Sequence, residues 1–214
     1  MDPDRELIDE QIAYYRARAG EYDATSIPEG DPLQAHADRL RASAPRGRVL
    51  ELAAGTGQWT GILAEAAEEL LVTDASPEML ELNRSRTGDR PNVRYEIADA
   101  FAMEASHAHD AVFLGFFLSH VPPGTFAAFW AVLDGLLAPG GRVMFVDEGV
   151  HEAWGEDWID EAGGVVRRPL TDGSVHRAIK VIWRTDDLVH RLGELGWEAS
   201  VTAEGPFYWG IARR

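Results

Sequence analysis

Residues 48–57 read Arg48-Val49-Leu50-Glu51-Leu52-Ala53-Ala54-Gly55-Thr56-Gly57. The first five make a short apolar run that suits a buried strand, and two glycines then precede a helical pattern over about 58–67. Glycine lets the backbone turn sharply and approach a ligand without a Cβ clash, and the helix behind it presents free N–H groups. The alternation continues downstream. Leu70-Leu71-Val72-Thr73 is a second strand candidate, and Ser76 as N-cap with Pro77 in the first helical position opens a helix to about Arg86. Further strands are expected at 92–97, 110–114 and 142–146, and a helix over about 123–137 stops at Pro139-Gly140-Gly141. Strands alternating with helices imply right-handed crossovers and a parallel sheet covered on both faces.

The flanks differ from this core. Leu7, Ile8, Ile12 and Tyr15 recur at spacings of three to four, which suits an amphipathic helix. The segment Thr25 to Pro32 breaks that helix, and a second one is expected over about 33–44. After Asp147 the pattern becomes irregular, with residues 148–163 read as loop or short helix. Asp172-Gly173 between β-rich runs then signals a hairpin. A helix from Thr185, with the threonine as its cap, closes near Gly196, and two final strands around Gly205-Pro206 can pair at a sheet edge. The expected organisation is one domain: residues 1–45 a helical lid, 46–148 the core, 149–184 an insertion over the substrate, and 185–214 a closing helix and strands.

Composition narrows the function. The chain of 214 residues carries 20 Lys+Arg against 36 Asp+Glu, a net charge of −16. That field disfavours DNA, RNA and anionic membranes as partners. With no cysteine, disulfides, cysteine–zinc sites and thiol chemistry are excluded. No apolar run approaches the roughly 18 residues of a membrane span, and the acidic start lacks the features of a secretion signal. A cytoplasmic protein is the expectation. Glu104, His107, His109 and Asp110 have no second ligand motif beside them, so no metal is expected.

Three acids accompany the glycine turn. Glu51 ends the first strand, at the carboxyl edge where ligands of such sheets bind. Asp74 ends the second strand, where an acid accepts hydrogen bonds from ribose hydroxyls in nucleotide-binding folds. Asp99 follows the third, where a carboxylate can accept from an adenine amino group. A dinucleotide fingerprint would place a third glycine at Thr60, and Gly61 comes one residue late. Glu51 beside the turn suits a cation better than a pyrophosphate, and S-adenosylmethionine (SAM) carries an ammonium and a sulfonium without a phosphate. SAM is therefore favoured over a nicotinamide cofactor.

Glu51 to Gly57, Asp74-Ala75-Ser76-Pro77-Glu78-Met79-Leu80, Asp99-Ala100-Phe101 and Leu137 to Gly141 together resemble the class I SAM-dependent methyltransferases. The resemblance is specific over about 47–148 and weaker toward the C-terminus. It implies a Rossmann-like α/β fold with a seven-stranded sheet of order 3-2-1-4-5-7-6, strand 7 antiparallel. It also implies that Glu51, Ala53, Gly55 and Gly57 border the methionine moiety and that Asp74, with Ala75 beside it, binds ribose. Met79 would pack on adenine, Asp99, Ala100 and Phe101 would meet its edge and ring, and Phe116 would lie under the cofactor. Ala53 stands where many members have glycine. Tyr14 to Asp23 is similar to the lid of small-molecule members: Tyr15 and Tyr22 could stabilise a sulfonium through their ring faces, or simply pack an aromatic helix face on the sheet.

Methyl transfer is an in-line displacement that needs a base only if the nucleophile must lose a proton. His120, just beyond the fourth strand, could be that base or an orienting donor, or could cap the next helix or satisfy a loop carbonyl. Trp154, Trp158, Glu148 and Asp157 in and beside the insertion could frame an aromatic or cationic guest, and Arg167-Arg168 could meet a carboxylate or serve as solvated edge charges. No Asn-Pro-Pro-Tyr-type segment of amino-methylating nucleic-acid enzymes is present, so a small-molecule acceptor is expected. The exposed hairpin could serve a homodimer interface or the lid. The competing readings are a nicotinamide-dependent oxidoreductase and a catalytically silent SAM-binding protein.

Overall fold

The computed structural model describes residues 3–26, 33–150 and 155–214, with the side chains of Thr25 and Ser26 left aside. Three helices lead: α1 (Pro3–Arg18), α2 (Tyr22–Ser26) and α3 (Gln34–Ser43). The core follows as β1 (Arg48–Leu52), α4 (Thr60–Ala66), β2 (Glu69–Asp74), α5 (Pro77–Thr87), β3 (Val93–Ile97), β4 (His109–Gly115), α6 (Phe126–Leu136) and β5 (Leu137–Glu148). An insertion of β6 (Trp158–Asp160), β7 (Val165–Pro169) and β8 (Val175–Ile179) precedes α7 (Thr185–Glu194), β9 (Glu198–Glu204) and β10 (Phe207–Arg213).

The main sheet runs β3-β2-β1-β4-β5-β10-β9, with β10 antiparallel to both neighbours, which is the expected order with β10 as strand 7. Its central strands are buried on both faces. In β4, Val112 and Leu114 pack toward Trp130 and Leu133 of α6, while Phe113 packs toward Trp59 and Leu63 on the other side. Alternate side chains of one strand therefore serve two separate cores, the reason these strands read as continuous apolar runs. Chain order reverses between adjacent β1 and β4, so their carboxyl ends diverge into a crevice.

The insertion forms its own three-stranded antiparallel sheet, β6-β7-β8, and α1 lies against it. Leu7 and Ile8 pack on Ile179, and Tyr14 packs on Val166, Leu170 and Ala178. Glu10 accepts from the Arg177 backbone N–H at 2.9 Å and from its Nε at 2.8 Å. The amino-terminal helix and the insertion are thus one cap over the carboxyl edge of the main sheet.

Three local expectations change. Residues 158–160 form a strand, because β7 supplies Trp158 and Asp160 with partners at Val166 and Val165 that no local periodicity reveals. Thr185 lies inside α7, and Arg184 takes the N-cap position without a side-chain bond. β5 starts at Leu137, earlier than the apolar run, with an irregularity opposite His109 and Ala111. Trp154 and most of the Thr25–Pro32 break lie outside the described residues. Among the described residues, no helix is long and apolar enough to cross a membrane.

Candidate active site

The turn after β1 is held by its neighbours on both sides. Ala54 N–H donates to Thr73 O at 2.9 Å, and Gly55 N–H donates to Asp74 Oδ2 at 2.9 Å. Asp74 Oδ1 accepts from Ser76 N–H at 2.8 Å, and Ser76 Oγ caps α5 by accepting from Met79 N–H at 3.1 Å. The backbone is left-handed at Ala53 (φ 51°), Gly55 (54°) and Gly57 (88°). Gly57 is required sterically: a Cβ there would stand 2.7 Å from the Asn83 side chain and 3.1 Å from its Cα. At Gly55 a Cβ would meet nothing within 4 Å, so that glycine faces open space. Among the described residues, the remaining non-glycine positions with positive φ are His107 and Phe116 (φ 56°), and Phe116 lines the crevice. Strained backbone of this kind concentrates at functional sites.

The crevice between β1, β2 and β4 is walled by Tyr15, Tyr22, Ala53, Gly55, Asp74, Ala75, Met79, Asp99, Ala100, Phe101, Phe116 and His120, all expected from the sequence. Glu51 and Gly57 are not on its wall. Gly57 faces Asn83, and Glu51 lies beneath the turn, 1% exposed, with neither carboxylate oxygen hydrogen-bonded. Burial pushes the Glu51 carboxyl up to about 8. Burial also raises Asp74, against the pull of the Ser76 and Gly55 N–H groups. Asp99 accepts from Phe101 N–H at 2.9 Å and pairs with Arg5 of α1 at 2.6 Å, so the cap reaches the crevice floor. Ala54, Thr56, Ser76, Ala98 and Gly115 also line it, as do Gln11, Ile12, Gln58, Trp59 and Phe117, which the sequence reading does not single out as cofactor contacts.

This donor set can be tested against the cofactor. No lysine or arginine is among the described wall residues. Asp74 and Asp99 line the crevice, and the buried Glu51 carboxyl lies under the turn, so the negative groups in and beneath it suit a sulfonium cofactor. The residues fit SAM.

A second cavity, about 660 Å3, adjoins the first and shares Tyr15, Tyr22, Gln58, Phe116 and His120 with it. Its far wall carries Arg18, Arg168 and Lys180. Lys180 is the chain's single lysine and is 5% exposed, paired with Glu148. Arg168 makes a two-pronged pair with Glu156, one arm at 2.9 Å. Neither basic residue's position was foreseen as a pair. Arg167 and Asp157, by contrast, form an exposed pair at 3.2 Å, and Trp158 packs in the Tyr14–Val166 cluster. His109 and Asp110 sit at the start of β4, the opposite end of the sheet, where Asp110 accepts from Arg48 N–H at 2.8 Å. No group of three or more metal-ligating side chains occurs among the described residues.

His120 stands at the junction. Its Nδ1 lies 2.7 Å from Ile179 O, and its Nε2 lies 3.0 Å from the Tyr15 hydroxyl. A carbonyl only accepts, so Nδ1 carries the hydrogen and Nε2 accepts from the phenol. Burial, reinforced by Lys180, pulls the imidazole down to about 3, while burial holds the Tyr15 phenol well above its usual range.

The fold and the crevice define a nucleoside-binding α/β enzyme whose cofactor is cationic rather than phosphorylated. A family model described as a methyltransferase domain matches residues 49–141. Two solved structures of DhpI, one with S-adenosylhomocysteine (SAH) and one with SAM and HEP, share 40% identity and a TM-score of 0.85 with this chain. The SAH complex is matched over 98% of this chain and 97% of that one. The chain belongs to the class I SAM-dependent methyltransferases. A Burkholderia thailandensis 1,6-didemethyltoxoflavin-N1-methyltransferase shares the fold at 16% identity and TM-score 0.69, over 100% of this chain and 91% of that one. Phosphoethanolamine N-methyltransferase 1 of Arabidopsis thaliana is 28% identical over 108 residues, 49% of this chain and 22% of that protein. The chain thus spans about a fifth of that curated relative's length.

Proposed function

We propose that the protein transfers the SAM methyl group to a small acceptor carrying a phosphate-like or carboxylate anion. The observation that carries this reading is the chain's single lysine, buried on the wall of a cavity that also holds Arg168 and adjoins the cofactor crevice. Three cations line that cavity together with Glu21, Glu148 and Glu156, and Lys180 and Arg168 are paired with Glu148 and Glu156, so an anionic guest would draw these cations from their carboxylate partners. The plant relative is named for phosphoethanolamine, which carries such a group.

SAM supplies an electrophilic methyl on a sulfonium. Asp74 is assigned to the ribose hydroxyls, Asp99, Ala100 and Phe101 to the adenine edge, and Met79 to its face. Ala53, Gly55 and Ala75 let the cofactor approach the backbone, and Tyr22 and Phe116 exclude water from the junction. Lys180, Arg168 and Arg18 hold the acceptor's anion so that its nucleophilic atom lies in line with the methyl and sulfur. No base is needed where the nucleophilic atom is itself anionic, whereas an acceptor amine must reach the methyl already deprotonated. His120 therefore acts by holding the Tyr15 hydroxyl, since a neutral imidazole with its lone pair engaged is a poor proton acceptor at neutral pH.

The test measures transfer of labelled methyl from SAM to a panel containing phosphoethanolamine, other phosphorylated alcohols, carboxylates and their uncharged analogues. Acceptors with the anion should be methylated, and Lys180→Met should raise their KM about tenfold or more, the loss of one charge-assisted contact. Turnover confined to uncharged compounds would overturn the reading. Calorimetric titration of SAM against wild type and Asp74→Ala, run beside NADH, checks the cofactor half separately.

A further inference from the structure

Gln11 is a buried polar residue on α1, 3% exposed, and the methyl-transfer chemistry does not call on it directly. Its Nε2 donates to the His120 backbone carbonyl at 3.2 Å, and its Oε1 accepts from the Ile179 N–H at 2.9 Å. Ile179 in turn accepts from His120 Nδ1. The three groups close a ring joining α1, the turn after β4 and strand β8. The backbone partners fix the amide's orientation, because one is an obligate acceptor and the other an obligate donor. The next residues continue the junction: Val181 N–H donates to Ser119 O at 2.7 Å, and Ser119 N–H donates to the buried Asp147 at 2.8 Å.

We propose that Gln11 is a positioning residue: by tying His120 to Ile179 it sets the tautomer of His120 and hence aims the Tyr15 hydroxyl at the junction of the two cavities. This rests on the methyltransferase reading of that junction. Without Gln11 the His120 turn and the chain around β8 are joined here, apart from the imidazole itself, through Val181 N–H on Ser119 O, which leaves the Ile179 carbonyl freer to move off the imidazole and weakens the preference for one tautomer. A phenol that donates to Nε2 presents only lone pairs to the junction, whereas a released phenol presents its hydrogen. Seating of α1 on β8 is thereby read out at the position where the methyl crosses, and a cap that is not seated leaves the junction unordered. The groups facing the imidazole are Tyr15 and Arg18 from α1 and its end, Arg168 from β7, and Ile179 and Lys180 from β8 and the residue after it.

The experiment needs no acceptor. The ring nitrogens of the seven histidines are followed by 15N NMR in the full chain saturated with SAH, with His120→Asn identifying the His120 signals. Wild type should show a single Nδ1–H tautomer that does not titrate down to about pH 5. Gln11→Met, similar in shape but without either hydrogen bond, should show mixed tautomers and titration nearer the ordinary value of about 6.5. Gln11→Leu, which also lacks both hydrogen bonds, reports if the methionine variant does not fold, and its His120 signals should also leave the single-tautomer pattern. An unchanged ring pattern in a folded Gln11 variant overturns the proposal. So does a loss of SAH affinity with the pattern intact, which would make Gln11 a cofactor contact. Failure of the methyltransferase reading would show differently, as no SAH binding by wild type.

Discussion

Replacing Glu51 by glutamine tests whether the carboxyl under the β1 turn is an electrostatic partner of the cofactor. In the folded chain burial moves this group from an ordinary 4.5 to about 8. In the unfolded chain it titrates near its ordinary value. The cost of ionising it is therefore absent at acid pH, grows as pH rises between those two values, and is complete above the folded one. At about 1.4 kcal/mol per pH unit it reaches roughly 5 kcal/mol, a loss of stability with rising pH that is opposite in sign to that of a salt-bridged carboxylate. Denaturant unfolding of the cofactor-free protein should show wild type losing several kcal/mol relative to Glu51→Gln from acid to mildly alkaline pH. SAM brings an ammonium and a sulfonium, which favour the ionised carboxyl. About nine in ten folded molecules hold the proton at neutral pH, so binding should release most of one proton. Calorimetry in two buffers of different ionisation enthalpy counts it, and the glutamine variant should release measurably less. The comparison with glutamine is needed because Asp74 is also raised and lies at the same site. Identical stability profiles for the two proteins, or identical proton release, would refute the reasoning.

The turn itself gives opposite outcomes at neighbouring positions. Ala53 adopts a left-handed φ of 51°, which costs an L-residue about 1–2 kcal/mol, and the extra freedom of an unfolded glycine offsets about half of that. Ala53→Gly should therefore stabilise the chain by up to about 1 kcal/mol in urea unfolding. Gly57→Ala forces a Cβ against Asn83 in the same backbone region, and should cost about 2–3 kcal/mol and weaken SAM binding. Arg5 bridges the cap to Asp99 while partly exposed, a contact worth roughly 0.2–1 kcal/mol. Arg5→Gln should accordingly speed SAH dissociation by a few fold in stopped-flow fluorescence, with little change in unfolding midpoint.

The two halves of the site differ in how far the sequence exposes them, and the difference is physical. The cofactor half depends on backbone shape: a left-handed turn after β1, an N–H accepted by the acid ending β2, a serine cap on α5. Few residue types meet such demands, so Gly55, Gly57, Asp74 and Ser76 leave a local signature that can be read without a fold. Even there, the apparent equivalence of Gly55 and Gly57 was misleading, because one faces open space and the other packs on a helix whose position no local pattern gives. Glu51 was placed beside the cofactor on the same local grounds, and it turns out to lie one layer deeper.

The acceptor half depends on side chains meeting across distance. Gln11 reaches a carbonyl 109 positions away, and Tyr15 reaches the same residue across 105. Any element can deliver a lysine or an arginine to a cavity, so Lys180 and Arg168 have no required neighbours in sequence. Position alone could not separate Arg168, turned inward onto Glu156, from Arg167, exposed with Asp157. One signal was nonetheless available. Arginine supplies nearly all of this chain's positive charge, and a lone lysine in that background invites the question of what its compact ammonium does that a guanidinium cannot. Its burial beside Glu148 gives a structural reason to ask it of the acceptor cavity first: a point charge held off by one carboxylate can be handed to an incoming anion without reshaping a bidentate fork.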